Sequence, residues 1–194
     1  TRLVVSALKW LIANYGKMNI RILNISVGML ASARREEQEE LLAAIEAVWD
    51  AGIVVVAAAG NNGPKDKSIT IPGLCRKIIT VGSSDDEEGE VKNLGLMRGY
   101  SGRGPTEACI MKPEVVAPGT AIVSCKRMGN GYEMKSGTSM ATPVVAGAVA
   151  VLLSRYSNLK PAEVKLRLYE TSVDTGKSKH AQGWGRLDVM QLIR

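Results

Sequence analysis

Apolar side chains recur every three or four residues over residues 3–15, and this spacing predicts an amphipathic helix that ends at Gly16. The same kind of spacing, or a long apolar stretch, predicts further helices at residues 41–49, 139–156 and 161–170. Runs of β-branched or uninterrupted apolar residues predict short strands at residues 20–27, 53–59, 78–81, 114–117 and 121–124.

This alternation of helices and strands is typical of an α/β fold with a mainly parallel sheet. The strand at residues 53–59 has no polar position, as expected when helices cover both faces of a parallel sheet. We therefore expect three layers, with the sheet flanked by helices.

Charge and composition exclude several classes of partner. The chain has 194 residues and a net charge of +6, but its basic residues occur as scattered pairs without interleaved aromatic residues. That pattern does not indicate a nucleic-acid partner. The chain lacks a charge-free apolar stretch near the ~20 residues that span a bilayer, so we expect no membrane partner.

The three cysteines bear on the cellular compartment. Cys75, Cys109 and Cys125 are odd in number and lack the C-x-x-C spacing, and no signal-type segment follows Thr1. The compartment stays unknown on these grounds, with a lean toward the cytoplasm and secretion as the alternative.

Two segments follow the general rule that functional loops of α/β sheets lie beyond the carboxyl ends of the strands. Asn61 comes directly after the strand at residues 53–59, where an amide could donate a hydrogen bond into a cleft or merely shape a turn. Ser139 lies where the third helix begins, where free backbone N–H groups suit an oxyanion, although an ordinary helix cap is the commoner role.

Five segments, taken in chain order, resemble those of the subtilisin-like serine proteases (subtilases). The nucleophile segment of that family resembles SGTSMATP at residues 136–143, and its oxyanion-asparagine segment resembles AAGN at residues 58–61. The remaining matches are NISVG at residues 24–28, KPEVVAPG at 112–119 and GWGRL at 183–187.

The resemblance implies a serine endopeptidase that acts on peptide or protein substrates. Ser139 would be the nucleophile that forms an acyl-enzyme, and the Asn61 amide with the Ser139 N–H would form the oxyanion hole. Thr70 would lie near the floor of the specificity pocket, where the family commonly has glycine, so we expect a shallower pocket. The other residues implied to contact substrate are Ser26, Val27, Gly28, Ala58, Ala59, Gly60 and Thr138.

In the family, the aspartate and histidine of the triad precede the serine along the chain. They would lie upstream of Thr1, and residues 1–194 would be a single partial peptidase domain that lacks its N-terminal part. The single histidine, His180, is adjacent to the GWGRL segment and is expected to be a bystander. We expect the isolated chain to be inactive, with a complementary N-terminal fragment or a second copy of the chain as a partner.

Two other interpretations remain. The first is a catalytically dead, subtilase-like module that binds peptides. The second is a small-molecule or phosphate-binding domain built on the loop at residues 60–63, although no G-x-x-x-x-G-K-[ST] or G-x-G-x-x-G motif is present. The acidic turn at residues 85–88 lacks an EF-hand pattern, so we expect no metal and no cofactor, structural calcium being suggested only by the resemblance.

Overall fold

The computed structural model describes residues 2–28, 34–87 and 97–194. Its main sheet has four strands in the order β1-β2-β3-β4, and every neighbouring pair is parallel. A separate antiparallel hairpin is formed by β5 and β6. The strands are β1 (Ile22–Ile25), β2 (Val54–Ala58), β3 (Ile79–Ser83), β4 (Val115–Ala117), β5 (Ile122–Cys125) and β6 (Tyr132–Lys135), and the helices are α1 (Arg2–Met18), α2 (Arg35–Asp50), α3 (Thr138–Arg155), α4 (Pro161–Thr171), α5 (Lys179–Gln182) and α6 (Val189–Leu192).

The burial of β2 shows how the layers are arranged. All of its residues are buried, and because successive side chains of a strand point to opposite faces, helices cover both faces of the sheet. α1 packs against α2, α2 contacts β2, and α3 contacts all four strands of the main sheet. The α/β class with a parallel sheet flanked by helices is thus confirmed.

The end of α1 differs from the prediction. Gly16 does not end the helix, which continues to Met18. The chain turns at Asn19, whose φ of 52° is in the left-handed region that asparagine tolerates, while the Ile20 N–H donates to the Tyr15 carbonyl. Gly16 lies on the exposed side of the helix, where a missing side chain loses no packing.

The two short strands predicted around Pro118 and Gly119 belong to different sheets. The Asp85 carboxylate accepts hydrogen bonds from the Gly119 and Thr120 N–H groups at 2.8 and 3.0 Å, which turns the chain away from β4. β5 therefore pairs with β6, a strand that the apolar pattern did not predict, because most of its residues are exposed. The short helices α5 and α6 were also not predicted.

The expectation that no apolar stretch approaches the length of a bilayer span is wrong for α3, which among the described residues is the one helix long and apolar enough, with a mean hydropathy of 1.3 over 18 residues. Its residues Ala141, Val145, Val149 and Leu152 are fully buried, and the helix packs on the sheet. One face of the helix is thus buried against the sheet, while Val144 and Val151 on the other face are 37% and 47% exposed.

A buried charge cluster joins β3, β4 and α4. The Lys112 ammonium is fully buried and lies 2.7 and 2.9 Å from the two carboxylate oxygens of Glu114. Glu114 also accepts from the Thr80 N–H at 2.8 Å and lies 2.9 Å from the Lys165 ammonium. Burial outweighs the attraction of Glu114 and lowers the pKa of Lys112 from 10.5 to about 8.

This pKa predicts a pH-dependent stability. Between pH 8 and 10.5 the folded protein binds fewer protons at Lys112 than the unfolded chain does, so this residue makes the free energy of unfolding rise with pH. Relative to the Lys112→Met variant, we expect the free energy of unfolding of the wild type to rise by up to ~1.4 kcal/mol per pH unit across that interval. Below pH 8 we expect no such rise. Urea unfolding at a series of pH values measures the difference.

Lys9→Met, at an exposed position, controls for the loss of one positive charge. The same pH dependence in the wild type and in Lys112→Met would contradict the prediction.

Candidate active site

The carboxyl ends of β1 and β2 and the first turn of α3 surround one cleft. Ser26 follows β1, Asn61 follows β2, and Ser139 is the second residue of α3. The cleft has a volume of about 310 Å³. Its lining residues are Gly28, Ala58, Gly60, Asn61, Asn62, Thr70, Thr138 and Ser139.

Three hydrogen bonds hold the loop after β2 against the start of α3. The backbone N–H and the hydroxyl of Thr138 both donate to Asn61 Oδ1 at 3.0 Å. The same hydroxyl oxygen accepts from the Gly60 N–H at 3.1 Å. Because two donors occupy the side-chain oxygen of Asn61, only the N–H donors of its amide remain to serve the cleft.

The backbone before α3 permits this close approach. Gly137 has a φ of 146°, and a Cβ atom there would lie 3.1 Å from Asn61 Nδ2. Because Ser139 lies in the first turn of α3, no preceding helical carbonyl is available to it, and its N–H has no acceptor among the described residues. Asn61 and Ser139 thus offer one side-chain and one main-chain donor, the combination that stabilises an oxyanion.

The Ser139 hydroxyl is held by the end of β1. Ser139 Oγ donates to the Ser26 carbonyl at 2.9 Å, and Ser26 Oγ donates to the Ser139 carbonyl at 3.1 Å. The Asn24 amide donates to Ser26 Oγ at 2.9 Å and orients it. A main-chain carbonyl is not a general base, so the hydroxyl is positioned in this arrangement but not activated.

Thr70 closes one end of the cleft between two glycines. Its side chain is buried, and its N–H donates to the Ala59 carbonyl at 2.9 Å. A Cβ at Gly28 would lie 2.8 Å from Thr70 Oγ1, and one at Gly60, where φ is +93°, would lie 2.5 Å from Thr70 Cγ2. The threonine therefore fills space that a glycine at this position would leave open.

The structure brings most of the predicted site residues together. Seven of them line the cleft, and Ser26 contacts Ser139. Val27 instead lines a neighbouring apolar groove and is 62% exposed.

The backbone of Ala59 and Gly60, at the end of β2, makes its hydrogen bonds within the protein. The Ala59 N–H donates to Val81 and its carbonyl accepts from Thr70, while the Gly60 carbonyl accepts from Gly102. The Gly60 N–H is bonded to Thr138. The peptide groups of Ala59 and Gly60 are therefore paired within the protein.

His180 lies away from the serine. Its Nδ1 atom is 2.9 Å from Asp66 Oδ2, and its carbonyl accepts from the Gly104 N–H. This imidazole therefore links α5 to the loop after Asn61, and Ser139 Oγ has its hydrogen bond with Ser26.

The acidic turn has structural tasks. Asp85 holds the Gly119–Thr120 segment, and the buried Asp86 accepts from the Ser101 N–H, with burial raising the pKa of Asp86. Glu88 lies outside the described residues. Within the described ranges, no group of three or more histidine, cysteine, aspartate or glutamate side chains is arranged to hold a metal ion.

Sequence reasoning missed two residues of the site. Asn62 lines the cleft beside Asn61, and Asn24 orients Ser26. Asn24 lies in the NISVG segment, but nothing in its spacing showed that its amide would bind a neighbouring hydroxyl. Thr138 was predicted to contact substrate, and the structure shows that its side chain holds Asn61 and Gly60.

Comparison with known proteins agrees with this geometry. The model of the subtilase family matches residues 1–185. The serine protease AprX of Bacillus subtilis (strain 168) is 36% identical over 200 residues, which cover 94% of this chain and 45% of AprX. The halolysin-like extracellular serine protease Nep of Natrialba magadii is 35% identical over 138 residues, covering 71% of this chain and 23% of Nep.

Solved structures give the same result. Sphericase superimposes with a TM-score of 0.78 at 25% identity, and the match covers 95% of this chain and 63% of that protein. This chain spans less than half the length of AprX. With the family match, the parallel sheet and the joined serine and asparagine loops, this chain belongs to the subtilase family of serine proteases.

Proposed function

We propose that this chain supplies the nucleophile and the oxyanion donors of a serine endopeptidase. The observation that carries the proposal is the pair of Thr138 hydrogen bonds to Asn61 Oδ1 beside Ser139. These bonds fix the asparagine amide next to a serine at a helix N-terminus, where developing negative charge is favoured.

In the proposed reaction, Ser139 Oγ attacks the scissile carbonyl carbon while a general base takes the hydroxyl proton. The carbonyl oxygen becomes an oxyanion, which accepts hydrogen bonds from Asn61 Nδ2 and the Ser139 N–H. The tetrahedral intermediate then expels the amine, which receives the proton, and an ester on Ser139 remains. Water hydrolyses that ester and restores the hydroxyl.

The base must come from outside residues 1–194. The only histidine, His180, is paired with Asp66, and the Ser139 hydroxyl donates to a carbonyl. We assign the aspartate and histidine of the triad to a complementary upstream segment, with residues 1–194 as one partial domain. The segment can reach the sheet, since β1 pairs only with β2 in the described part of the chain and its other edge can accept a strand. A second copy of the chain carries the same residues and would therefore add no new general base.

The proposal predicts that reactivity depends on this segment. We expect a fluorophosphonate probe to label Ser139 rapidly in the longer protein but not in the isolated 194-residue chain, because loss of the base histidine in a subtilisin costs ~10⁶ in kcat. Labelling followed by intact mass, together with a peptide hydrolysis assay, measures both forms. Ser139→Ala should abolish label and hydrolysis.

Asn61→Ala in the longer protein should lower kcat by ~10²–10³, the magnitude known for a subtilisin oxyanion asparagine. Asn62→Ala is the matched control, because Asn62 lines the same cleft without the Thr138 contacts. Rapid labelling of the isolated chain would overturn the claim that the base lies elsewhere. Peptide binding without hydrolysis by the longer protein would leave the peptide-binding module as the function.

A preference for small P1 side chains follows from Thr70, because its side chain fills the cleft end between Gly28 and Gly60. We expect Thr70→Gly in the longer protein to raise kcat/KM for P1 leucine or phenylalanine relative to alanine by ~10-fold or more. Thr70→Ser loses only the methyl group, so its kcat/KM ratio should lie between those of the wild type and Thr70→Gly. A substrate panel measures this ratio, and a wild type that accepts bulky and small P1 residues equally would contradict it.

An extracellular location agrees with the relative Nep, whose name describes it as extracellular. The lean toward the cytoplasm, based on the odd number of cysteines, finds no support among the relatives.

A further inference from the structure

The β5–β6 hairpin carries an apolar face that points away from the protein. In its antiparallel register, Val123 pairs with Met134 and Cys125 pairs with Tyr132. Alternate residues of a strand share one face, so these four side chains lie together. Val123, Met134 and Tyr132 are 63%, 51% and 71% exposed, and Cys125 is also exposed.

The tip of the hairpin continues this pattern and adds charge. Met128 is 81% exposed and directly follows Lys126 and Arg127. Among the described residues, neither cation has a carboxylate within 4.0 Å, whereas Lys135 pairs with Glu133 at 2.7 Å. The end of the hairpin therefore presents an apolar side chain beside two positive charges that are not neutralised.

A contiguous apolar surface is typical of an interaction site, since soluble proteins rarely expose large apolar patches. Two copies of this chain would bring like charges together, because the hairpin tips are cationic and each chain has a net charge of +6. An anionic bilayer offers an apolar region for Met128 and Tyr132 directly beneath negative headgroups for Lys126 and Arg127.

We propose that the β5–β6 hairpin binds anionic lipid surfaces, with Met128 inserted among the acyl chains and Lys126 and Arg127 at the headgroups. This departs from the expectation that the protein has no membrane partner. Lys135 ends the hairpin four residues before Ser139, so a docked hairpin holds the cleft close to the membrane surface.

Two exposed cysteines provide a matched pair of probe positions. Cys125 lies on the apolar face of the hairpin, Cys109 lies on another loop, and Cys75 is buried, which raises the pKa of its thiol and suppresses labelling. An environment-sensitive fluorophore is attached to Cys125 in the Cys109→Ser chain and to Cys109 in the Cys125→Ser chain. Each is mixed with phosphatidylcholine vesicles with and without phosphatidylserine.

We expect a blue shift at Cys125 only with phosphatidylserine, weakening as salt is added, and no shift at Cys109. Replacing Lys126 and Arg127 by serine should lower the vesicle partition coefficient by ~30-fold, and Met128→Ser by ~10-fold. Serine at Lys65 and Lys67 removes the same charge from another exposed loop and should have a smaller effect.

Equal shifts at both cysteines, no shift with either vesicle, or binding unaffected by the hairpin substitutions would overturn the proposal. A chain that elutes as a dimer by light scattering, with Cys125 protected from labelling, would show that a second copy covers the hairpin instead.

Discussion

The contact between Thr138 and Asn61 is the interaction on which the site depends. It joins the end of a fully buried strand to the first turn of the central helix, and the same hydroxyl satisfies the Gly60 N–H. Because β2 and α3 both belong to the core, this contact fixes the loop after β2 against the start of α3. The direction of the Asn61 amide follows from it.

The proposed function divides the chemistry of a serine protease between two parts. In that proposal, this chain supplies the serine that attacks and the donors that stabilise negative charge. The described residues place no general base at Ser139, whose hydroxyl donates to the Ser26 carbonyl. The serine loop keeps its geometry without the base because its hydrogen bonds come from β1, β2 and α3.

The sequence predicted the main elements well, since the core of an α/β fold imposes clear apolar periods on α1 and α2 and an uninterrupted apolar run on β2. It failed at Gly16, because a glycine on an exposed helix face looks the same as one that ends a helix. It also missed β6, whose exposed residues have no apolar period. Ser139 and Asn61 could be identified from their motifs, whereas the paired peptide groups of Ala59 and Gly60 depend on contacts with residues distant in the chain.

Hydrogen exchange of the backbone amides, followed by NMR, tests the central contact most directly. We expect slow exchange of the Gly60 and Thr138 amides in the wild type and in Thr138→Ser, which keeps the hydroxyl. In Thr138→Val the Gly60 amide loses its acceptor, at a cost of ~1–3 kcal/mol, and should exchange at least several-fold faster. Fast exchange of both amides in the wild-type chain would contradict the account.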